Sequence, residues 1–152
     1  MRHDIRTRID IEAPPADVWR HLVDLVAYAD WNPFIPVASG VPEVGQKLSL
    51  RLEPPGGRGI TIRPTVTAAK PASVFEWFGH LGVPGLFDGR HRFDLVVIPA
   101  GTLLVHSESF GGLLVRRKWH AKHRSDVRGG QLDVRAALAH LARVRRSTSP
   151  GL

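Results

Sequence analysis

The chain has 152 residues, of which 43% are hydrophobic and 23% are charged, a composition typical of one globular domain. It contains no cysteine, which excludes disulfides, thiolate metal sites and a cysteine nucleophile. There is no apolar run of about 18 residues, the length that spans a membrane, and the N-terminus lacks the apolar segment of a secretory signal. We therefore predict a cytoplasmic protein.

The net charge of +7 is unevenly distributed along the chain. Residues 116–152 contain ten basic and two acidic side chains and so carry +8, whereas residues 1–115 carry −1. The domain body is therefore close to neutral, and the C-terminal segment alone accounts for the basic character of the chain.

The first elements are predicted from periodicity and from proline. Strict alternation over residues 4–12 predicts a half-buried strand, whose inward side begins at Ile5. Pro14 and Pro15 end this strand and begin a helix, because proline is tolerated in the first helical turn. Residues 28–32 predict a short helical turn that Pro33 interrupts.

The remainder of residues 1–115 alternates between extended segments and turns. Extended segments are predicted at 35–40, 47–53, 60–69, 73–81, 86–98 and 102–110. Pro64 lies within the third of these segments and indicates an edge or a bulge. Strands joined by short turns form antiparallel sheets, so we predict an α+β fold with about 6–7 strands.

Two strands of this sheet place aromatic or ionisable side chains on particular faces. In residues 73–81, Phe75 and Trp77 share one face, while Glu76 and His80 point the other way and are expected to be solvated. The last hairpin can be aligned from its turn. If Ala100 and Gly101 are the turn residues, the opposing pairs are Phe93 with Glu108, Leu95 with His106, and His91 with Phe110.

Five segments over about residues 3–115 carry a resemblance to a known family. In chain order they are IDIEAPPADVWRHLVDL, YADWNPFIP, PPGGRGITIRPTV, GLFDGRHRFDL and VHSESFGGLLV. Together they resemble the START-like SRPBCC superfamily, and in particular its polyketide cyclase/dehydrase and lipid-transport group. The resemblance implies a helix-grip fold, in which a curved antiparallel sheet surrounds a C-terminal helix and encloses an apolar cavity. It also implies binding of lipids, polyketides or other hydrophobic molecules, but no single reaction.

The C-terminal segment departs from this resemblance. We interpret residues 1–115 as the helix-grip body and residues 116–152 as an atypical basic segment of the same domain, with a short helix at 134–146. The segment is either a native variant or the product of a changed reading frame. It offers cations for nucleic acid or an anionic membrane, although a solvated chain end is the favoured interpretation.

The candidate site residues come from the inward face of the sheet and from the cavity rim. We predict His91 and Glu108 as an acid–base pair. The predicted ligand-binding residues are Trp31, Phe75, Trp77, Phe87, Phe93, His106 and Phe110. Two histidines and one carboxylate match an iron-type ligand set. However, the assumed register separates His91 from His106 by about 13 Å, so we predict no metal and no cofactor.

Three functions are compatible with these residues. The leading one is binding, and possible transport, of a hydrophobic small molecule such as a lipid or polyketide. The first alternative is a cofactor-independent polyketide cyclase or dehydratase, in which His91 and Glu108 transfer protons and His106 orients a carbonyl. The second alternative is an interaction module that binds anionic partners through residues 116–152. The sequence does not assign an oligomeric state.

Overall fold

The computed structural model describes residues 3–53, 58–86 and 88–113. These residues form eight strands and two short helices. In chain order the elements are β1 (His3–Ile11), α1 (Pro15–Val23), α2 (Tyr28–Trp31), β2 (Val37–Ser39), β3 (Ser49–Leu52), β4 (Ile60–Ile62), β5 (Thr65–Lys70), β6 (Val74–His80), β7 (Asp88–Ile98) and β8 (Gly101–Gly111).

The strands form two antiparallel sheets. The larger sheet has the strand order β1-β8-β7-β6-β5, and the smaller has the order β2-β3-β4. The larger sheet is curved, as a helix-grip fold requires, so the predicted α+β fold class is confirmed. The C-terminal helix of that prediction, and the helix at 134–146, lie outside the described residues.

The hydrophobic core lies on the inner face of the larger sheet, in two adjoining clusters. In one, Ile11 and Leu104 from the sheet pack against Leu22 of α1. In the other, Phe75 and Trp77 of β6 pack against α2 and the smaller sheet. The alternation predicted for β1 and the apolar face predicted for residues 73–81 account for these contacts, because alternate side chains of a strand point to one face.

The segment at 60–69 forms two strands rather than one. β4 pairs with β3 in the smaller sheet, while β5 pairs with β6 in the larger sheet. Pro64 lies between them, where its missing N–H removes a ladder hydrogen bond and the chain passes from one sheet to the other. This division explains why the structure has eight strands instead of the predicted 6–7.

The register predicted for the last hairpin is wrong by two residues. Ile98 pairs with Gly101, so the two turn residues are Pro99 and Ala100 rather than Ala100 and Gly101. The same side chains remain on the inner face, since a shift of two positions preserves the pleat. Their partners change, however: His91 lies opposite Glu108, and Phe93 lies opposite His106.

The outer face of the larger sheet contains a buried carboxylate, contrary to the expectation that Glu76 is solvated. Glu76 is buried, whereas His80 is exposed as expected. The carboxylate of Glu76 accepts hydrogen bonds from Thr67 Oγ1 at 2.7 Å, Arg90 at 2.6 Å and Arg92 at 3.2 Å. A register shift between Val66 and Ala68 leaves Thr67 outside the ladder pairing and next to this carboxylate.

We expect Glu76→Gln to lower the free energy of unfolding by roughly 1–2 kcal/mol at neutral pH, because it breaks two ion pairs whose arginines are partly exposed. Burial raises the pKa of Glu76, but hydrogen bonds from Thr67 and Arg92 and the charges of both arginines outweigh it and lower that pKa overall. A carboxylate whose pKa is lower in the folded protein than in the unfolded protein stabilises the fold at any pH above the unfolded-state pKa. This stability is lost as the pH falls through the folded-state pKa. Urea unfolding at several pH values from 7 to 3 measures the difference in free energy of unfolding between the wild-type protein and Glu76→Gln.

Glu53→Gln is the matched control for this prediction, since Glu53 forms an ion pair with Arg51 in which both side chains are about half exposed. Its effect on stability is expected to stay within about 0.5 kcal/mol. The ion-pair account of Glu76 is contradicted if the two variants are equally stable, or if the stability lost by Glu76→Gln does not diminish in acid.

Candidate functional site

A pocket lies between the inner face of the larger sheet and the segment containing α2. It is lined by Tyr28, Trp31, Asn32, Phe34, Ile35, Trp77, His91, Phe93, His106 and Glu108. Its free volume is about 20 Å³. This is space for about one water, so the side chains of the free protein largely fill the pocket.

The wall opposite the sheet is held by three hydrogen bonds of two side chains, Tyr28 and Asn32, that sequence reasoning did not identify. The Tyr28 hydroxyl donates to the carbonyl of Leu22 at 2.6 Å, which ties α2 to the end of α1. Asn32 Oδ1 accepts from the backbone N–H groups of Phe34 at 3.1 Å and Ile35 at 3.0 Å. The Asn-Pro pair after the helix was the available signal, because asparagine commonly bonds the backbone that follows it.

Three ionisable side chains from β7 and β8 converge on the floor of the pocket. His91 Nδ1 lies 3.3 Å from Glu108 Oε1, and His106 Nε2 lies 3.4 Å from the same oxygen. His91 and Glu108 are directly cross-strand, while His106 and Glu108 are two residues apart on one strand and share its inner face. The ligand-type atoms of all three lie within 4.8 Å of one another. The predicted separation of about 13 Å between His91 and His106 is therefore wrong, because it rested on the incorrect register.

Aromatic rings fix the orientation of both imidazoles. Trp77 stacks on His91 with ring centroids 3.9 Å apart, and Phe93 stacks on His106 at 4.5 Å. The two imidazoles are themselves roughly parallel at 5.7 Å, and Phe110 meets His91 edge-on at 6.0 Å. The floor of the pocket is thus a column of flat rings beside one carboxylate.

Burial controls the protonation of the three groups. It lowers the pKa of His106 to about 4 and, together with the charge of His106, lowers the pKa of His91 well below its usual range. Burial raises the pKa of Glu108 to about 7. Desolvation favours the neutral form of each group, so both imidazoles are uncharged at neutral pH.

The predicted site residues divide into four groups. Trp31, Trp77, Phe93 and His106 line the pocket together with His91 and Glu108. Phe75 is completely buried and packs edge-to-face on Trp19 rather than lining the pocket. Phe110 contributes through its contact with His91. Phe87 lies outside the described residues.

Two polar atoms in the pocket lining are buried without a hydrogen-bond partner among the described residues: Trp31 Nε1 and His106 Nε2. A buried polar atom without a partner is unfavourable by about 1–3 kcal/mol. The 3.4 Å approach of His106 to Glu108 does not satisfy Nε2, because it lacks hydrogen-bond geometry. Both atoms therefore keep a hydrogen-bonding capacity that no described residue uses.

The sequence matches the protein family described as "Polyketide cyclase / dehydrase and lipid transport" over residues 2–145. The chain belongs to this family. The resemblance identified from the sequence is thereby confirmed, and the match extends beyond residue 115. A search of curated proteins gives no match.

Solved structures with a similar fold align with 97–99% of this chain. The Zhui aromatase/cyclase from Streptomyces sp. R1128 has a TM-score of 0.76 and 19% identity, covering 99% of this chain and 100% of its own. The protein MLL2253 from Mesorhizobium loti has a TM-score of 0.70 and 18% identity, with coverages of 97% and 100%. The di-domain aromatase/cyclase BexL from the BE-7585A biosynthetic pathway has a TM-score of 0.75 and 19% identity. This chain is covered to 98% and spans about half (51%) of BexL.

Family membership and the ring-lined pocket together support binding of a hydrophobic small molecule or cyclase activity. At these identities, the structural neighbours establish the fold alone. Among the described residues, neither helix has the length and apolarity needed to cross a lipid bilayer.

Proposed function

We propose that the protein binds a planar, hydrophobic small molecule that presents an oxygen acceptor to the pocket, as an aromatic polyketide does. The observation that carries this proposal is the N–H of Trp31, a residue of the pocket lining: it is buried and has no hydrogen-bond partner among the described residues. An indole N–H only donates, so its complement is an acceptor such as a carbonyl or phenol oxygen. The aromatic lining favours a flat guest, because ring faces stack well on other rings.

Binding of such a guest requires side chains to move, because the free volume of about 20 Å³ is far below that of a polyketide. Trp31 and Phe34 are only partly buried and lie on α2 and the loop after it, not on the sheet. The stacked rings of β6, β7 and β8 are held by the strand ladders instead. We therefore assign the opening movement to Trp31 and Phe34, with the sheet as a fixed floor.

The test is titration with emodin, a planar anthraquinone, followed by tryptophan fluorescence. Trp31→Phe keeps a ring but deletes the N–H, and we expect it to weaken binding about 5- to 10-fold, equivalent to one lost hydrogen bond of about 1–1.4 kcal/mol. Trp19→Phe is the matched control, since Trp19 packs in the core outside the pocket lining. Absence of saturable binding by the wild-type protein, or equal weakening in both variants, would contradict the proposal.

A second candidate function is cyclisation or dehydration without a cofactor, favoured by the 3.3 Å contact between His91 and Glu108 beside the pocket. In dehydration of a β-hydroxy ketone, one group would remove the proton from the α-carbon while the other donates a proton to the departing hydroxyl, which leaves as water. His106 would orient the ketone oxygen. This role for His91 and Glu108 is the one that the sequence suggested.

His91→Asn and Glu108→Gln separate the two functions. If the protein is only a carrier, both variants retain most of the emodin affinity, and neither they nor the wild type form enone from an aromatic β-hydroxy ketone. If it is an enzyme, the wild type forms enone and each variant loses turnover by about 100-fold or more while binding persists. Absorbance of the conjugated product measures this difference.

A further inference from the structure

We propose that His91, His106 and Glu108 form a binding site for one divalent transition-metal ion, of which Zn²⁺ is the best match. The site is composed of two imidazoles and one carboxylate that converge on the pocket floor. This inference does not depend on the proposed small-molecule binding, and it is tested with the metal alone.

Two of the three distances between the ligand atoms suit such an ion, while the third, between the two imidazole nitrogens, lies within 4.8 Å. The nitrogens of His91 and His106 lie 3.3 and 3.4 Å from Glu108 Oε1. Ligands about 2.0–2.1 Å from a tetrahedral zinc ion are separated from one another by about 3.3–3.4 Å. The approach of His106 to Glu108 is not a well-formed hydrogen bond, since His106 Nε2 has no hydrogen-bond partner among the described residues. Both contacts therefore have the spacing of metal ligands, and the contact of His106 lacks the geometry of a hydrogen bond.

The backbone holds these ligands in place before any ion binds. His91 and Glu108 face each other across one rung of the β7–β8 ladder, and His106 lies opposite Phe93 on the same inner face. Stacking by Trp77 and Phe93 restricts rotation of the two imidazoles. Sites built on strands with packed side chains have better-defined geometry than sites on loops.

Burial and charge favour a cation at this point. His91 and His106 are buried, and the side chain of Glu108 is only 14% exposed. An isolated carboxylate in such a place is costly unless it is paired or bound to a metal. The two arginines that flank His91, Arg90 and Arg92, instead bind Glu76 on the outer face of the sheet. A dication bound on the inner face would compensate the charge of Glu108.

The donor set also limits which metal fits. Imidazole nitrogens suit zinc, copper, iron and nickel, whereas Mg²⁺ and Ca²⁺ prefer sites made only of oxygen. Three protein ligands leave at least one coordination position for water or a guest oxygen. That position would face the pocket, whose lining includes Trp31, a residue with an N–H that is unpaired among the described residues.

The experiment is titration of the full chain, freed of metal with a chelator, with Co²⁺ as a spectroscopic substitute for Zn²⁺. We expect one equivalent of Co²⁺ to bind and to give the visible absorption bands of a low-coordinate site. Zn²⁺ should then displace Co²⁺ and abolish these bands. His106→Ala and Glu108→Gln should each abolish these bands or weaken Co²⁺ binding by at least 10- to 100-fold. His80→Ala is the matched control, because His80 is exposed on β6 and should leave the spectrum unchanged.

Two results would overturn the proposal. One is a wild-type protein that gives no Co²⁺ spectrum at millimolar metal. The other is a spectrum that persists in folded Glu108→Gln but disappears when His120 and His123 of the basic segment are replaced. Circular dichroism establishes that each variant is folded, and Glu108→Gln preserves side-chain size if His106→Ala does not fold. Emodin binding by the metal-free protein is measured separately, so failure of one proposal leaves the other standing.

Metal binding and proton transfer would use the same side chains. If Zn²⁺ inhibits enone formation by the wild-type protein, the metal-free form is the one that performs the acid–base reaction.

Discussion

Phe75→Ala is expected to lower the free energy of unfolding by about 3–5 kcal/mol, the largest single effect foreseen for this protein. Phe75 is completely buried, and its ring packs edge-to-face on Trp19 with centroids 6.1 Å apart. Truncation removes that contact and leaves a cavity that the sheet cannot close, because β6 is hydrogen-bonded to strands on both sides. Since domains are stable by only about 5–15 kcal/mol, urea unfolding should show a large shift of the midpoint.

Val83→Ala is the control for this variant, since Val83 is 63% exposed and its truncation is expected to change stability by no more than about 0.5 kcal/mol. The milder Phe75→Leu tests whether the residue has a second role in the pocket. Because Phe75 packs in the core and not in the pocket lining, a folded Phe75→Leu protein should bind emodin with wild-type affinity. A variant with unchanged stability but lost binding would assign Phe75 to the ligand site instead, as the sequence suggested.

Gly101→Ala should destabilise the protein by roughly 2–4 kcal/mol, an estimate that combines backbone strain with overpacking. Gly101 has a φ of +145°, and an added Cβ would lie 2.3 Å from the carbonyl oxygen of Ile11 and 2.7 Å from the backbone nitrogen of Ala13. Both are backbone atoms where β1 ends, so relief of the clash requires the edge strand to move. Thermal unfolding provides the measurement.

Gly45→Ala separates strain from crowding in this prediction. Gly45 also has a positive φ, +87°, but nothing lies within 4 Å of an added Cβ. It should therefore show only the conformational cost of about 1 kcal/mol. If Gly101→Ala proves no more harmful than Gly45→Ala, the close approach of β1 to the β7–β8 turn is not what requires glycine there.

Gly101 also explains why the sequence could not align the last hairpin. Glycine next to Ala100 is typical of a two-residue turn, and that interpretation placed His91 opposite Phe110. In the structure, Pro99 and Ala100 form the turn, and Gly101 is instead needed for the approach of Ile11 and Ala13, about 90 residues earlier in the chain. A contact with so distant a segment leaves no local pattern in the sequence. The hairpin register was therefore predicted wrongly by two residues, and the separation of His91 and His106 was overestimated as a result.

Glu76 shows the same limit on the opposite face. The alternation of β6 correctly placed it away from Trp77, but an outward-facing carboxylate is solvated only if nothing covers it. Here Thr67 and two arginines from neighbouring strands converge on it. These partners come from β5 and β7, and a bulge in β5 presents Thr67, so the result depends on strand order rather than on β6 itself.

The sequence by itself determined the α+β class, the family, the inward faces of β1 and β6, and the set of residues on the inner face of the last hairpin. The family follows from the resemblance of the five segments, and the other properties follow from local periodicity, proline positions and composition, which neighbouring residues encode. Only the tertiary structure decided that Phe75 is core, that α2 and its asparagine cap form the pocket wall, and that His91, His106 and Glu108 meet at one point. The physical reason is that a two-residue change of register preserves every face but moves cross-strand partners by about 7 Å, and contacts far along the chain select the register.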